Sequence, residues 1–162
     1  MNTMDISGLA SKLRNDVKSS IQNEVFKVCE KALRDSIMQT LYSGQSPTYY
    51  SRTYDIANSV AVKDVVINNS SAEFRITVDA SKMSMINPEP NAPYGRWGTH
   101  VGFSGQDFRE GLIEILDEGG GNRYYMHSAN HFFDKAATGL DTDIVNTLVR
   151  ALSSKGWDVE IG

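Results

Sequence analysis

Apolar residues recur every three or four positions over the first quarter of the chain. They are Ile6, Leu9, Leu13, Val17, Ile21, Val25, Val28, Ala32 or Leu33, Ile37 and Leu41. This spacing places them along one side of an amphipathic helix. Neither proline nor glycine occurs between Ala10 and Tyr42, so the pattern predicts one helix about 50 Å long. Because a domain of this size does not easily cover such a helix, we expect either one break or contact of part of the stripe with another subunit.

A different periodicity follows the helix. Gly44 and Pro47 end it, since glycine favours a helix C-cap and proline cannot continue the helix. Apolar and polar residues then alternate over residues 59–67 and 72–79, with the turn sequence Asn68-Asn69-Ser70-Ser71 between them. Alternation with β-branched residues on both sides of a polar turn predicts a β-hairpin.

The remaining chain divides into a long loop and several short elements. Residues 80–105 are rich in glycine and proline and carry Tyr94, Trp97 and Phe103, which we expect to dock on a partner. Helices are predicted at 106–118, 128–138 and 141–153, a short strand at 123–126 and a closing strand at 157–161. The order predicts an α+β fold: a long N-terminal helix, a small mostly antiparallel β-sheet and C-terminal helices packed on the sheet. We predict a single domain, 1–162, with segments 1–42, 43–58, 59–79, 80–105 and 106–162.

Charge and cysteine content narrow the function classes. The net charge is -4, and residues 105–162 hold ten acidic against five basic residues, which argues against binding nucleic acid through a basic face. No apolar run approaches the roughly 18–20 residues of a membrane span, so no membrane partner is expected. The single cysteine, Cys29, excludes an internal disulfide and is predicted to be a small buried hydrophobic residue.

Two histidines raise the possibility of a metal site. His127 and His131 are four residues apart, with Asp134 near, and on a helix they would share one face. His100 and Cys29 are the other strong ligand types, but neither has a ligand-like spacing. We therefore interpret the two histidines as helix-cap or interface residues.

Three other segments resemble parts of catalytic or binding motifs, but none has the complete set of residues. Gly102-Phe103-Ser104-Gly105 lacks the G-x-S-x-G spacing of a nucleophile elbow, and Gly119-Gly120-Gly121 follows a helix and lacks the lysine of a phosphate loop. The carboxylates of Glu110, Glu114, Asp117 and Glu118 could pair for acid–base work or Mg²⁺ binding, but such a run usually forms a solvated helix face. We predict no catalytic, cofactor-binding or metal-binding residue and no enzymatic activity.

Three segments together resemble a known family. The segment Pro47-x-x-Tyr50-x-Arg52-Thr53-x-x-Ile56-x-x-Ser59-Val60 resembles the P-x-x-Y-x-R-T-G-x-L-x-x-S-I motif of the small neck or tail-completion proteins of long-tailed bacteriophages and prophages. Leu116-Asp117-Glu118-Gly119 is similar to a later E-x-G element, and Asn130 to Ala136 is similar to a closing P-F-(L/F)-x-x-A helix. Tyr54 replaces the glycine of the first motif, and His131 replaces the proline of the last.

The resemblance implies a virion structural protein, made in the bacterial cytoplasm and located in the tail or neck. It implies a homo-oligomeric ring, expected to be a hexamer, between the tail tube or terminator and the head connector or adaptor. DNA would pass through its channel without specific binding, and the acidic last third would line part of that path. Arg52 could form a salt link to a carboxylate of its own or a neighbouring subunit. The expected interaction residues are Pro47, Tyr50, Arg52, Thr53, Ile56, Trp97, His131, Phe132 and Phe133.

Three alternatives stay open. Within the virion, the chain could be a tail terminator or a head-closure protein. From another class, it could be a small cytosolic metal-binding protein or hydrolase that uses His127 and His131. It could also be a bacterial interaction module captured from a prophage.

Overall fold

The long N-terminal helix is continuous in the computed structural model, which describes residues 6–43, 54–68, 71–83, 109–122 and 125–161. Helix α1 (Ile6–Ser20) passes through a π-helical turn (Ile21–Val25) into α2 (Phe26–Ile37), and a second π-helical turn (Met38–Tyr42) ends it. The predicted helix is confirmed, and it has no break.

The two π-helical turns follow from the spacing of the buried residues. From Ile21 onward the buried apolar positions are four apart: Ile21, Val25, Cys29, Leu33, Ile37 and Leu41. Each four-residue step overshoots an α-helical turn by about 40°, so five steps would rotate the stripe by about 200° around the helix. A π-helical turn takes in one extra residue, which offsets about 100°. Two of them therefore keep the stripe on one side.

The predicted hairpin is also confirmed. A short helix, α3 (Asp55–Asn58), leads into β1 (Val60–Ile67), which pairs antiparallel with β2 (Ala72–Val78). The register shifts between Lys63 and Val66, where Asp64 adopts φ 55°. This bulge places one extra residue in β1, so that Ile67 returns to the buried side.

The C-terminal elements differ in detail from the predicted ones. After a 3₁₀ turn (Ala80–Lys82) the described elements are α4 (Arg109–Glu118), β3 (Gly120–Asn122), β4 (Tyr125–His127), α5 (Phe132–Ala137) and α6 (Leu140–Ser153). The last two glycines of Gly119-Gly120-Gly121 form β3 together with Asn122, and β3 pairs antiparallel with β4 in a second small sheet. The predicted helix at 128–138 begins only at Phe132.

The predicted closing strand at 157–161 was wrong. These residues form no strand within the described chain. The indole Nε1 of Trp157 instead donates to the Asp16 carboxylate at 2.9 Å, which ties the start of the segment to α1. Burial still alternates, with Trp157 and Val159 half-buried and Asp158 and Glu160 exposed.

Two apolar clusters hold the elements together. One joins the end of the long helix to the hairpin base, α4 and α5 through Leu33, Ile37, Leu41, Ile56, Ala57, Val60, Val78, Met83, Leu116 and Phe132. The other joins the first π-helical turn to α6 and the hairpin around Ile21, Val25, Cys29 and Leu140. Cys29 is fully buried, as predicted. The predicted α+β class is confirmed, with C-terminal helices that reach both the long helix and the hairpin.

Candidate protein interface

The end of α4 is hydrogen-bonded to the residues that precede α5. The carbonyl oxygen of Asp117 accepts the N–H groups of Asn130 at 3.0 Å and His131 at 2.9 Å. The side-chain amide of Asn130 donates to the carbonyl of Leu116 at 2.6 Å. The two late segments that resemble the phage family are therefore one structural unit.

Asp117 also supplies the cap of α5. His131 occupies the N-cap position in a left-handed conformation, φ 51°, and its side chain makes no capping hydrogen bond. The Asp117 carboxylate accepts the N–H of Phe133 at 3.2 Å instead. A carboxylate at a helix N-terminus satisfies a free N–H and interacts favourably with the helix dipole.

Phe132 anchors this unit in the core. Its side chain is fully buried, and its ring lies 4.9 Å from that of Phe133. The buried hydroxyl of Ser36, on α2, donates to the Phe132 carbonyl at 2.8 Å. Phe132 is thus fixed to the long helix through both its side chain and its main chain.

The end of segment 43–58, called the hinge segment below, reaches the same stretch of the long helix. Ile56 is buried in the cluster that contains Phe132. Arg34 Nε donates to the carbonyl of Ala57 at 3.2 Å, and the ring of Tyr54 lies 4.9 Å from that of Tyr42. The first and last motifs therefore meet on one side of the long helix.

The described interaction residues divide between core and surface. Ile56 and Phe132 are buried, Phe133 is half-buried and His131 is exposed. Because Ile56 and Phe132 are buried, neither side chain can contact a partner directly, whereas the side chain of His131 is exposed to solvent. Pro47, Tyr50, Arg52, Thr53 and Trp97 lie outside the described residues.

The metal-site alternative assumed that His127 and His131 lie on one helix, and this assumption is wrong. His127 lies in β4 and His131 precedes α5, so the two do not share a helical face. Among the described residues, no group of three or more histidine, cysteine, aspartate or glutamate side chains could hold a metal ion. Ser104 and His100 lie outside the described residues.

The carboxylates of α4 do not form one uniform solvated face. Glu110, Glu114 and Glu118 are exposed, as expected, whereas Asp117 is half-buried and capped onto α5. Asp117 therefore has a structural role, and the prediction that it belongs to a solvated helix face is wrong.

The first ten residues of α1 carry an apolar face that no other described element buries. Ile6, Leu9 and Leu13 are 77, 44 and 38% exposed. The C-terminal segment reaches α1 at Asp16, where Lys155 and Trp157 bind, and every residue from Ile6 to Asn15 is exposed. About 15 Å of amphipathic helix therefore extends past the described core.

The contacts of Lys155 and Trp157 with α1 were not predicted from the sequence. Lys155 Nζ donates to the main-chain carbonyl of Asp16 at 3.1 Å, beside the bond from Trp157. Lys12 lies over the Trp157 ring, 5.6 Å from its centroid. No spacing in the sequence signals these contacts, because more than 130 residues separate the partners.

A comparison with protein families gives a match over most of this chain. A family model described as YomN matches residues 5–155. No curated protein and no solved structure matches the chain. Among the described residues, no helix is both long and apolar enough to cross a bilayer.

Proposed function

The chain belongs to the YomN family, which derives from Bacillus phages and prophages, and we propose that this phage-associated protein is a non-enzymatic structural component of the virion. In this proposal it completes the tail, or forms the neck, as a homo-oligomeric ring between the tail and the head connector. Its partners are further copies of itself and the proteins on either side of the ring.

The uncovered face of α1 carries the proposal. Ile6, Leu9 and Leu13 present apolar surface on a rigid helix whose continuation is anchored in the core. Burying such side chains stabilises an assembly by about 25 cal/mol for each Å² removed from water. A face that contacts a different face of the next copy generates a ring when the rotation closes.

The order of the motifs supports the same conclusion. The hinge and late segments resemble those of neck proteins, and their described parts meet at one core on the long helix. A core of this kind sets the direction in which α1 projects from the rest of the chain. The exposed carboxylates of α4 would then face the DNA channel, where like charge keeps DNA from binding.

The contact can be tested on the purified chain. Leu9→Asp and Leu13→Asp together should abolish self-association by light scattering, because they place charge on the proposed contact. Ser11→Asp changes an exposed position on the same helix and serves as the matched control. Equal association of all three proteins would contradict a contact through this face.

The position in the virion is tested by electron microscopy of particles made without the gene. Filled heads beside separate tails of normal length would support a tail-completion or neck role. Tails of abnormal length would favour a terminator, and heads that lose their DNA would favour a head-closure protein. Intact joined particles would contradict the virion role altogether.

The role of the α4 carboxylates has its own test. Glu110→Gln, Glu114→Gln, Asp117→Gln and Glu118→Gln together should slow genome ejection from assembled particles. Asp117 also caps α5, so the set without Asp117 is the cleaner variant. Unchanged ejection kinetics in that variant would remove the channel from the proposal.

A further inference from the structure

An open groove of about 540 Å³ lies between the middle of the long helix, from Ser19 to Lys31, and the end of α6. Four cationic side chains line it, Lys27, Lys31, Arg150 and Lys155, against the single carboxylate of Glu24. The chain as a whole is acidic, with net charge -4. The groove therefore carries the opposite sign from the protein that surrounds it.

A buried hydroxyl in the groove lacks a partner. Ser20 is 1% exposed, and its Oγ makes no hydrogen bond within the described chain. The usual acceptor for a helical serine is the carbonyl four residues earlier, here that of Asp16. That oxygen already accepts from Ser19 Oγ and from Lys155 Nζ, each at 3.1 Å.

A ligand oxygen in the groove that Ser20 lines could supply the missing hydrogen-bond partner once the side chains that cover Ser20 Oγ move aside. Buried hydroxyl groups in folded proteins are nearly always hydrogen-bonded, because an unpaired one loses its hydration without compensation. A donor without an acceptor, set among cations, matches the chemistry of a carboxylate. Lys27 is exposed, and no ion pair within the described part of the chain involves it. Lys31, also exposed, pairs with the Asp35 carboxylate on the same helix.

We propose that the groove binds the acidic segment 158–161 of a second copy, called the tail below, through the carboxylates of Asp158 and Glu160. This inference rests on the ring assembly proposed above and names one of its contacts. Asp158 and Glu160 are exposed, and Ile161 is 63% exposed. The tail of the same chain is tied to Asp16 through Trp157, and neither of its carboxylates lines the groove.

The spacings of the two charged pairs agree. Side chains two residues apart on an extended segment are about 7 Å apart on one side. Lys27 and Lys31 are four residues apart on α2, where neighbouring side chains are about 6 Å apart. One carboxylate can therefore face Lys27, and the other can face Lys31 in exchange for its exposed ion pair with Asp35.

The contact is heterologous, because tail and groove are different surfaces of one chain. Each subunit gives its tail to one neighbour and receives the tail of the other. Such a contact produces a closed ring or an open filament rather than a symmetric dimer.

Charge reversal tests the contact on the full-length protein. Lys27→Glu with Lys31→Glu should weaken self-association at least tenfold by light scattering, and so should Asp158→Lys with Glu160→Lys. The chain with all four changes should associate again, as should a mixture of the two double variants. Lys18→Glu and Glu118→Lys change exposed charges outside the groove and the tail, and they should have no effect.

The outcomes separate this contact from the ring itself. If the wild type associates and Lys27→Glu with Lys31→Glu associates equally well, the tail contact is overturned while the ring stands. If the wild type stays monomeric at all concentrations, the proposed ring fails, and binding of a synthetic Trp-Asp-Val-Glu-Ile peptide to the monomer then decides the groove. Absence of peptide binding, or equal binding of inorganic phosphate, overturns the tail as its ligand.

Ser20→Ala tests separately whether the Ser20 hydroxyl contributes to binding of the peptide. It should reduce peptide affinity severalfold without lowering the melting temperature, because it removes a donor that has no partner in the free chain. A lower melting temperature with unchanged affinity would show that Ser20 is purely structural and would contradict its assigned role.

Discussion

The main-chain N–H of Phe133 donates to the carboxylate of Asp117 across 3.2 Å, so the last turn of α4 caps α5. The two residues are 16 positions apart, and β3 and β4 lie between them. A side chain from another element thus does what an N-cap residue does in most helices. Together with the main-chain bonds from Asn130 and His131 to the Asp117 carbonyl, this bond joins the end of α4 to the start of α5.

Asp117→Ala should lower the free energy of unfolding by about 1 kcal/mol, the usual cost of losing an N-cap side chain. Chemical denaturation followed by circular dichroism measures it. Glu118→Ala is the matched control, because Glu118 is an exposed neighbour with no part in the cap. Equal stability of the two variants would show that the carboxylate of Asp117 contributes nothing.

His131→Pro should destabilise the chain by about 2 kcal/mol or more. Proline fixes φ near −65° and has no N–H, whereas His131 has φ 51° and donates to Asp117. His131→Gly should be neutral or stabilising, since glycine accepts positive φ without strain. A proline variant as stable as the wild type would mean that the segment readily adopts the family's proline-containing conformation.

Tyr54 adopts φ 56° at the position where the resembling motif has glycine. Tyr54→Ala removes the ring that packs on Tyr42 but keeps the strained Cβ, whereas Tyr54→Gly removes both. We expect the glycine variant to be more stable than the alanine variant by about 1 kcal/mol, the reverse of their order in a regular helix. Thermal denaturation of the pair checks this, and the opposite order would refute a left-handed Tyr54.

The carboxylate of Asp79 should make the free energy of unfolding depend on pH in the acidic range. Hydrogen bonds from Ser81, followed by the contact with Lys63, lower the pKa of Asp79 from 3.8 to about 2. Because the folded-state pKa is the lower one, the stabilisation is present above about pH 4 and disappears as the pH falls toward 2.

Asp79→Asn should therefore lower stability at pH 6 and lose its difference from the wild type near pH 2. Unfolding curves between pH 2 and 6 measure the effect. Asp64→Asn, in the largely exposed pair with Arg75, is the control and should change little. A constant difference between Asp79→Asn and the wild type across this range would contradict the lowered pKa.

Cys29 should resist thiol reagents in the folded protein. Burial raises the pKa of its thiol to about 11, so little thiolate exists at neutral pH. The rate of labelling by iodoacetamide should rise with denaturant in parallel with unfolding. Rapid labelling of the folded protein would show that the region around α2 opens locally.

Local periodicity accounts for the parts of the fold that were predicted correctly. The stripe that defines the long helix and the alternation that defines the hairpin both lie within short stretches of sequence. The four-residue steps from Ile21 to Leu41 also contained the signal for the π-helical turns, because an undistorted α-helix cannot keep such a stripe on one side.

The features that were missed depend on distant partners. The late start of α5 follows from Asp117 and the left-handed His131, and no residue near His131 indicates either one. Alternation at Trp157 and Val159 indicated an extended segment, but it could not say whether a strand would pair with it. The groove depends on Ser20 and Arg150, which only the fold brings together.

The groove also has a consequence for the timing of synthesis. One wall comes from the first helix and the other from α6, so the complete groove exists only after translation has passed Lys155. A nascent or truncated chain can expose the apolar face of α1, but it lacks the complete groove that we propose as the site for a neighbour's tail. In the assembly proposed above, only chains whose C-terminal helix has already folded back onto the first could therefore enter a ring.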